Sequence, residues 1–247
     1  GGRSDLDDEA LRKLHGKAKY KYPNGDVYEG EYVHGKKHGE GKYTRADGSE
    51  YEGDYKNDKK HGRGRCTWVN GNSYVGMWSD GMQHGHGILQ TADGRRYEGE
   101  WKMGKQHGKG TFSNNQNEVY EGDWRDGLKW GNGKMTTKDG HVYEGQWKEN
   151  KKCGKGKHTR PEQSTYEGDW KDDKKHGKGV YRYVSGDSYE GELRNGQKHG
   201  YGVFKAANGA MYSGWWADGK KHGKGTYVSA SGKKHEGWWK EDKPDPS

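Results

Sequence analysis

Thirteen histidines, two cysteines and a regular series of acids are the side chains of this 247-residue chain best suited to chemistry. Their spacing decides what they can do. His38, His61, His84, His107, His176, His199 and His222 are separated by 23 residues or a multiple of it. Two imidazoles on one zinc ion bring their nitrogens to within roughly 3 to 4 Å. Histidines carried one per structural unit, each about 9.6 Å further along a sheet, do not share a metal. They read as structural histidines at a turn. His84 and His86 stand two apart on one strand face, the arrangement nearest to a weak or interchain metal site, and no resident metal or cofactor is expected.

Paired acids such as Glu29 with Glu31 and Glu98 with Glu100 flank a glycine in nearly every unit. A catalytic pair needs two carboxylates in different environments around one cleft, whereas these repeat identically on a solvated face. No glycine-rich phosphate loop, nucleophile elbow or metalloprotease motif is present, because each Gly-x-Gly belongs to the repeat and lacks a following helix. Catalysis is not expected. Cys66 and Cys153 lie 87 residues apart, too far in a linear array for the roughly 6 Å between Cα atoms that a disulfide needs. Free thiols fit a reducing compartment.

The elements that position these groups follow from the repeat itself. Tyr28, Tyr51, Tyr74, Tyr97, Tyr120, Tyr143, Tyr166, Tyr189 and Tyr212 recur every 23 residues, with His235 next in the series. Two residues on is always glycine, and two further on stands Tyr32, Tyr55, Trp78, Trp101, Trp124, Trp147, Trp170, Leu193, Trp216 or Trp239. The second half of the unit reads His-Gly-x-Gly. In the unit from Tyr51 to Ser73, Tyr51, Gly53 and Tyr55 share one face of a strand while Glu52 and Asp54 share the other. A polar turn over 56–60 leads to a return strand from about Gly62, and Asn70-Gly71 turns into the next unit. Each unit is one β-hairpin. A further column on the ring face runs Tyr20, Tyr43, Cys66, Leu89, Phe112, Met135, His158, Tyr181, Phe204 and Tyr227. The expected fold is all-β: an elongated single-layer antiparallel sheet of about ten consecutive hairpins, forming a twisted trough.

Composition alone argues the other way. Val, Leu, Ile and Phe total 19, the net charge is +8 and the mean hydropathy is −1.56, values that suit a disordered chain. The periodicity overrules them, since 18 Tyr and 11 Trp supply an aromatic core. Residues 1–14 are expected as a tail and short helix, N-capped by Ser4, with acids Asp5, Asp7, Asp8 and Glu9 early and Arg12 and Lys13 late. Leu6, Leu11 and Leu14 would cover the sheet edge. The array is placed at 15–239, with a half repeat at 15–27, nine full repeats over 28–234 and a partial repeat at 235–239, before a tail at 240–247. No apolar run approaches a membrane span and no signal segment is seen, so a soluble, cytoplasmic protein is expected. The start at Gly1-Gly2 and the stop at Pro244-Asp245-Pro246 read as a tag scar on an excised segment.

Tyr-x-Gly-x-Trp followed by His-Gly-x-Gly at a 23-residue period resembles the MORN (membrane occupation and recognition nexus) repeat, over about residues 15 to 239. The resemblance implies a rod of hairpins with an aromatic groove, and non-catalytic roles in scaffolding, cytoskeletal or ciliary assembly and membrane-proximal tethering. The expected function is therefore an adaptor that binds an amphipathic helix or extended peptide of a cytoskeletal, ciliary or motor protein. Its groove contacts would be Tyr74, Trp78, Tyr97, Trp101, Phe112, Tyr120 and Trp124, continuing over Tyr143, Trp147, Tyr166 and Trp170, because an exposed aromatic strip calls for an apolar partner.

The alternative is a peripheral tether on anionic lipid. Lys36-Lys37, Lys59-Lys60, Lys151-Lys152, Lys174-Lys175 and Lys220-Lys221 recur at one turn and would form a cationic rim. A third reading is the regulatory segment of a larger enzyme. Nucleic acid is not expected, because the rings are committed to packing. Trp238 and Trp239 at an open strand edge suggest an end-to-end homodimer. The units that break the pattern, with Trp130 or Cys153 in place of the histidine and Arg160-Pro161-Glu162 in place of the Asp-Gly turn, suggest a change near the middle.

Overall fold

The computed structural model describes residues 5–246, with side chains from residue 9 onward. The chain is all-β, with 21 antiparallel strands and one short helix, Asp5–Arg12, among the described residues. It divides into two compact units, residues 1–117 with 123–127 and residues 118–122 with 128–247, and the same hairpin builds both.

Ser4 and the side chains of residues 5–8, Leu6 among them, lie outside the described residues. Glu9 and Lys13 form an exposed ion pair at 2.7 Å, four residues apart. After the helix the chain packs on the tip of the first hairpin. The Leu14 carbonyl accepts from Gly35 N–H at 2.9 Å, the place taken later by the Lys60 carbonyl for Gly81 and the Gln83 carbonyl for Gly104. Leu14 thus supplies to the first hairpin what a preceding unit supplies to the others.

The hairpin of Glu50–Lys56 with Lys59–Thr67 stands for the rest. Asn57 and Asp58 form its tip with φ of 49° and 69°, the pair of left-handed residues that a type I′ turn requires. The return strand begins at Lys59, earlier than the Gly62 expected from the sequence, because His61-Gly62 lies within the strand as a bulge. The register passes from Gly53↔Gly64 to Tyr55↔Lys60 there, and Gly62 takes a φ of +55°, as bulges often demand. The bulge leaves Asp54 without a partner on the return strand, while on its other side it stays paired with Glu40. Its carboxylate accepts from the Arg63 backbone N–H at 2.8 Å, and its carbonyl accepts from the Tyr51 hydroxyl at 2.9 Å. Both polar groups that the bulge frees are thereby satisfied.

The core is one ring thick. A Cβ on Gly53 would stand 2.4 Å from the Gly64 Cα, and one on Gly64 would stand 2.3 Å from the Tyr51 hydroxyl, so the ring lies on bare backbone. Trp78 of the next hairpin meets that ring edge-on, with centroids 5.3 Å apart and planes at 88°. Its indole N–H donates to the Gly64 carbonyl at 3.1 Å. The contact repeats as Tyr28–Tyr55, Tyr74–Trp101 and Tyr97–Trp124 in the first unit, and as Tyr120–Trp147, Tyr143–Trp170, Tyr189–Trp216 and Tyr212–Trp239 in the second. Edge-to-face pairs contribute about 0.5–1.5 kcal/mol each beyond the area they bury.

At the C-terminal end, the strand Lys234–Lys240 turns at Glu241 and Asp242 and pairs with Lys243–Asp245, placing Trp238 opposite Asp245 and Trp239 opposite Pro244. The region expected as a tail from 240 thus contains a short return strand, which covers part of the edge proposed for dimerisation.

Candidate binding faces

The two faces of each hairpin differ in kind. One carries the rings: Tyr74, Trp78, Tyr97, Trp101, Tyr120, Trp124, Tyr143, Trp147, Tyr166 and Trp170 retain only 0 to 7 % of their surface, and Phe112 is half-buried. Within each unit the structure brings the expected groove residues together, yet as a buried ladder and not as an exposed strip. Neighbouring rings, the glycine backbone and a cation cover them.

That cation is the second lysine of each turn pair. Lys60 Nζ lies 4.7 Å from the Tyr51 centroid and 4.6 Å from that of Trp78. Lys152 sits over Tyr143 and Trp170, Lys175 over Tyr166 and Tyr181, Lys221 over Tyr212 and Trp239, and Lys37 over Tyr43. The geometry is that of cation–π contacts. The lysine rim is therefore corrected: Lys37, Lys60, Lys152, Lys175 and Lys221 are half-buried on the ring face, and only Lys36, Lys59, Lys151, Lys174 and Lys220 are exposed at the edge. Three of these meet acids of the next turn, Lys59 with Asp80 at 3.4 Å, Lys151 with Asp172 at 3.9 Å and Lys220 with Glu241 at 3.3 Å. Burial lowers the pKa of the ring-face lysines, and that of Lys175 falls to about 8. Arg160 and Lys152 push Lys175 the same way.

Sequence reasoning by Lys-Lys pairs missed Lys129 and Lys198. They hold the same position, over Tyr120 and Trp147 and over Tyr189 and Trp216. The 23-residue column through Lys37 would have found both. None of these seven ammonium groups has an acid within ion-pair distance among the described residues.

The other face is charged. In the first unit a groove of about 990 Å³ is lined by alternating acids and bases, Glu29, Glu52 and Asp54 with Lys19, Lys42 and Arg63 among them. In the second a groove of about 1120 Å³ has the same character. Glu98 and Glu100 have separate tasks: Glu98 binds Arg96 at 2.7 Å, and Glu100 accepts from the Lys109 N–H at the bulge at 2.9 Å.

The repeated histidines occupy bulges. Among the described residues no group of three His, Cys, Asp or Glu is placed to hold a metal. Two pairs of histidines approach each other among the described residues: His141 and His158, with Nδ1 and Nε2 3.3 Å apart, and His15 and His34, with ring centroids 5.8 Å apart. Burial and the nearby Lys152 and Lys175 hold His158 down to about 4. Cys66 is buried, Cys153 is half-buried, and both are free. Trp239 belongs to the ladder and donates to the Gly225 carbonyl at 3.1 Å, whereas Trp238 is exposed on the charged face. The 160–162 turn keeps the common loop: Gln163 N–H donates to the Arg160 carbonyl at 2.8 Å, as Gly71 donates to Trp68 at 2.9 Å.

A hairpin of this kind, repeated with an aromatic ladder and a bulge glycine, defines a class of linear repeat protein. The MORN-repeat family model matches residues 13–27, 28–50, 51–73, 74–95, 97–117, 120–142, 143–165, 166–188, 189–211 and 212–234. The chain belongs to the MORN-repeat family. No characterised protein matches it significantly by sequence. Solved structures similar to it include the G-box domain of the microcephaly protein CPAP, at 12% identity and a TM-score of 0.40 over 91% of this chain and 100% of that one. The TCP10 domain of Danio rerio CPAP matches at 11% identity and a TM-score of 0.33, covering 92% and 95%. The Drosophila melanogaster SAS-4 TCP domain, solved with a proline-rich motif of Ana2, matches at 10% identity and a TM-score of 0.30, covering 80% and 88%. Likeness this low carries no functional weight.

Proposed function

We propose that the chain is a non-catalytic scaffold that captures an acidic amphipathic segment of a cytoskeletal, ciliary or motor protein along its ring face. The observation that carries this reading is the column of lysines over the ladder. An ammonium held on an apolar surface without an acid partner is a half-finished interaction, and an acidic side chain beside apolar anchors completes it. From Lys129 to Lys221 the column is unbroken, and successive lysines are two strands, about 9.6 Å, apart. Side chains seven apart on a helix are about 10.5 Å apart. A helix with acids at that interval, laid across the strands, meets one lysine per hairpin. Ladder residues such as Trp147 and Trp170 hold the lysines in place beneath it.

The test is fluorescence anisotropy with a labelled helical peptide carrying glutamates seven apart beside leucines, against wild type and Lys152→Gln/Lys175→Gln. Glutamine keeps most of the stem and removes the charge. Affinity should fall at least tenfold in the double variant. Unchanged affinity refutes the reading, and pelleting with phosphatidylserine vesicles in place of peptide binding transfers the face to a membrane tether.

A further inference from the structure

On the charged face, the second unit carries three aromatic side chains that the ladder does not use. Tyr201, Trp215 and Trp238 are 49, 53 and 50 % exposed. Other hairpins place Lys155 or Lys178 where Tyr201 stands, and Gln146 or Asp169 where Trp215 and Trp238 stand. The exchange removes a local hydrogen bond. Gln146 and Asp169 accept from the backbone N–H of Lys155 and Lys178 at 2.9 and 3.0 Å, whereas the equivalent N–H, that of Lys224, meets Trp215 at the acceptor's position. Breaking a local rule to expose an indole is the mark of a site.

Strand pairing sets the side chains in a row. Tyr201 lies opposite Trp215, and Lys224 lies opposite Trp238 on the next two strands. The Tyr201 and Trp215 rings meet edge to face at 83° with centroids 6.3 Å apart, two sides of a corner, and the Tyr201 hydroxyl is fixed by a 2.7 Å hydrogen bond with Ser213. Lys224 Nζ lies 5.5 Å over Trp238 and has no acid within ion-pair distance among the described residues. Neither indole N–H of Trp215 or Trp238 has an acceptor among them. The row lines a groove of about 330 Å³.

We propose that this row binds a polyproline II segment with prolines three residues apart and an acidic residue between them. The pitch matches: Trp215 and Trp238 are two strands, about 9.6 Å, apart, and a polyproline II helix returns to the same side every third residue, about 9.3 Å on. Such a segment has no internal hydrogen bonds, so its carbonyls are free to accept from the two indoles, while its prolines pack on the aromatic faces. Lys224, between the platforms, selects an acid. A single nucleic-acid strand also alternates flat groups with anions. The adjoining groove, however, carries as many acids as bases, Glu190 and Glu192 among them, and so offers a polyanion no net attraction beyond the row. This inference concerns the other face from the proposed adaptor site and does not depend on it.

The experiment measures anisotropy of a labelled proline decapeptide with one interior aspartate, and of its lysine counterpart, on the full chain. Trp215→Glu and Trp238→Glu install the acid found at this position in other hairpins, as Glu192 and Glu100, so the fold is retained, and circular dichroism checks it. The aspartate peptide should bind wild type, at least tenfold more weakly to either tryptophan variant, and at least fivefold more weakly to Lys224→Met. The lysine peptide should bind wild type at least fivefold more weakly than the aspartate peptide. No binding to wild type, or equal binding to all variants, overturns the proposal. So do oligouridine binding that the tryptophan variants abolish, and self-association in the ultracentrifuge that they abolish.

Discussion

Tyr51 touches four features of the hairpin at once. Its ring fills the space left by Gly53 and Gly64, its edge receives Trp78, its face receives Lys60, and its hydroxyl satisfies the carbonyl freed at the bulge. Two substitutions separate these roles. Tyr51→Phe keeps the ring but leaves the Asp54 carbonyl unpaired in a buried place, at a cost of about 1–2 kcal/mol. Gly64→Ala puts a methyl group 2.3 Å from the Tyr51 hydroxyl and should cost more, in the range of about 3 kcal/mol for a forced core overlap. Urea unfolding of both variants checks the order, which reverses if the hydroxyl matters more than the space. Lys175 gives a pH test. Its pKa falls from 10.5 to about 8 on folding, so the folded state disfavours the ammonium and this lysine opposes folding most below pH 8. The penalty fades as the pH rises from 8 towards 10.5. Lys175→Met should therefore be more stable than wild type by a margin that shrinks between pH 7.5 and 9.5. A margin independent of pH denies the shift.

Within the element, the period of two made both faces readable: glycine and aromatic positions alternate with acids on the first strand, and the model of one hairpin per repeat follows from them alone. The bulge was not readable. Strict alternation runs through His61 and Gly62, and only the left-handed φ of Gly62 and the displaced Asp54 reveal that the strand starts at Lys59. The lysines were misplaced for a related reason, because counting them as a turn hid that Lys60 lies opposite Tyr55 on the ring face. The buried state of Trp101 and Trp124 was hidden too, since a single sheet covers its rings only with lysine stems and neighbouring edges. The irregular loop at 160–164 shows that backbone shape outlasts sequence. Gln163 holds φ at 67° where one other unit has Asn117, at 60°, and the rest have glycine. Gln163→Gly should stabilise the chain by about 0.5–1 kcal/mol, since left-handed backbone costs a residue with a Cβ roughly 1–2 kcal/mol and the freer unfolded chain of glycine takes back about 0.5–1 kcal/mol. A lower thermal midpoint for the variant counts against this account.

Across the molecule, identical hairpins make stability a sum of unit terms and nearest-neighbour contacts. A deletion test follows within the second unit. Removing residues 143–165 joins Val142 to Tyr166, so that Tyr166 takes the place of Tyr143 and Trp170 that of Trp147. The Trp170 indole, which now donates to the Gly156 carbonyl at 3.0 Å, would then reach Gly133, the acceptor of Trp147 at the same distance. Every ladder contact has a replacement, so the shortened chain should keep its far-UV spectrum and unfold at nearly the same temperature, with a denaturant slope lower by roughly a tenth in keeping with its size. Removing one residue fewer, 143–164, shifts the following strands by one position and turns each ring from the ladder to the charged face. That chain should lose its cooperative transition. If both deletions behave alike, the ladder is not what couples one hairpin to the next.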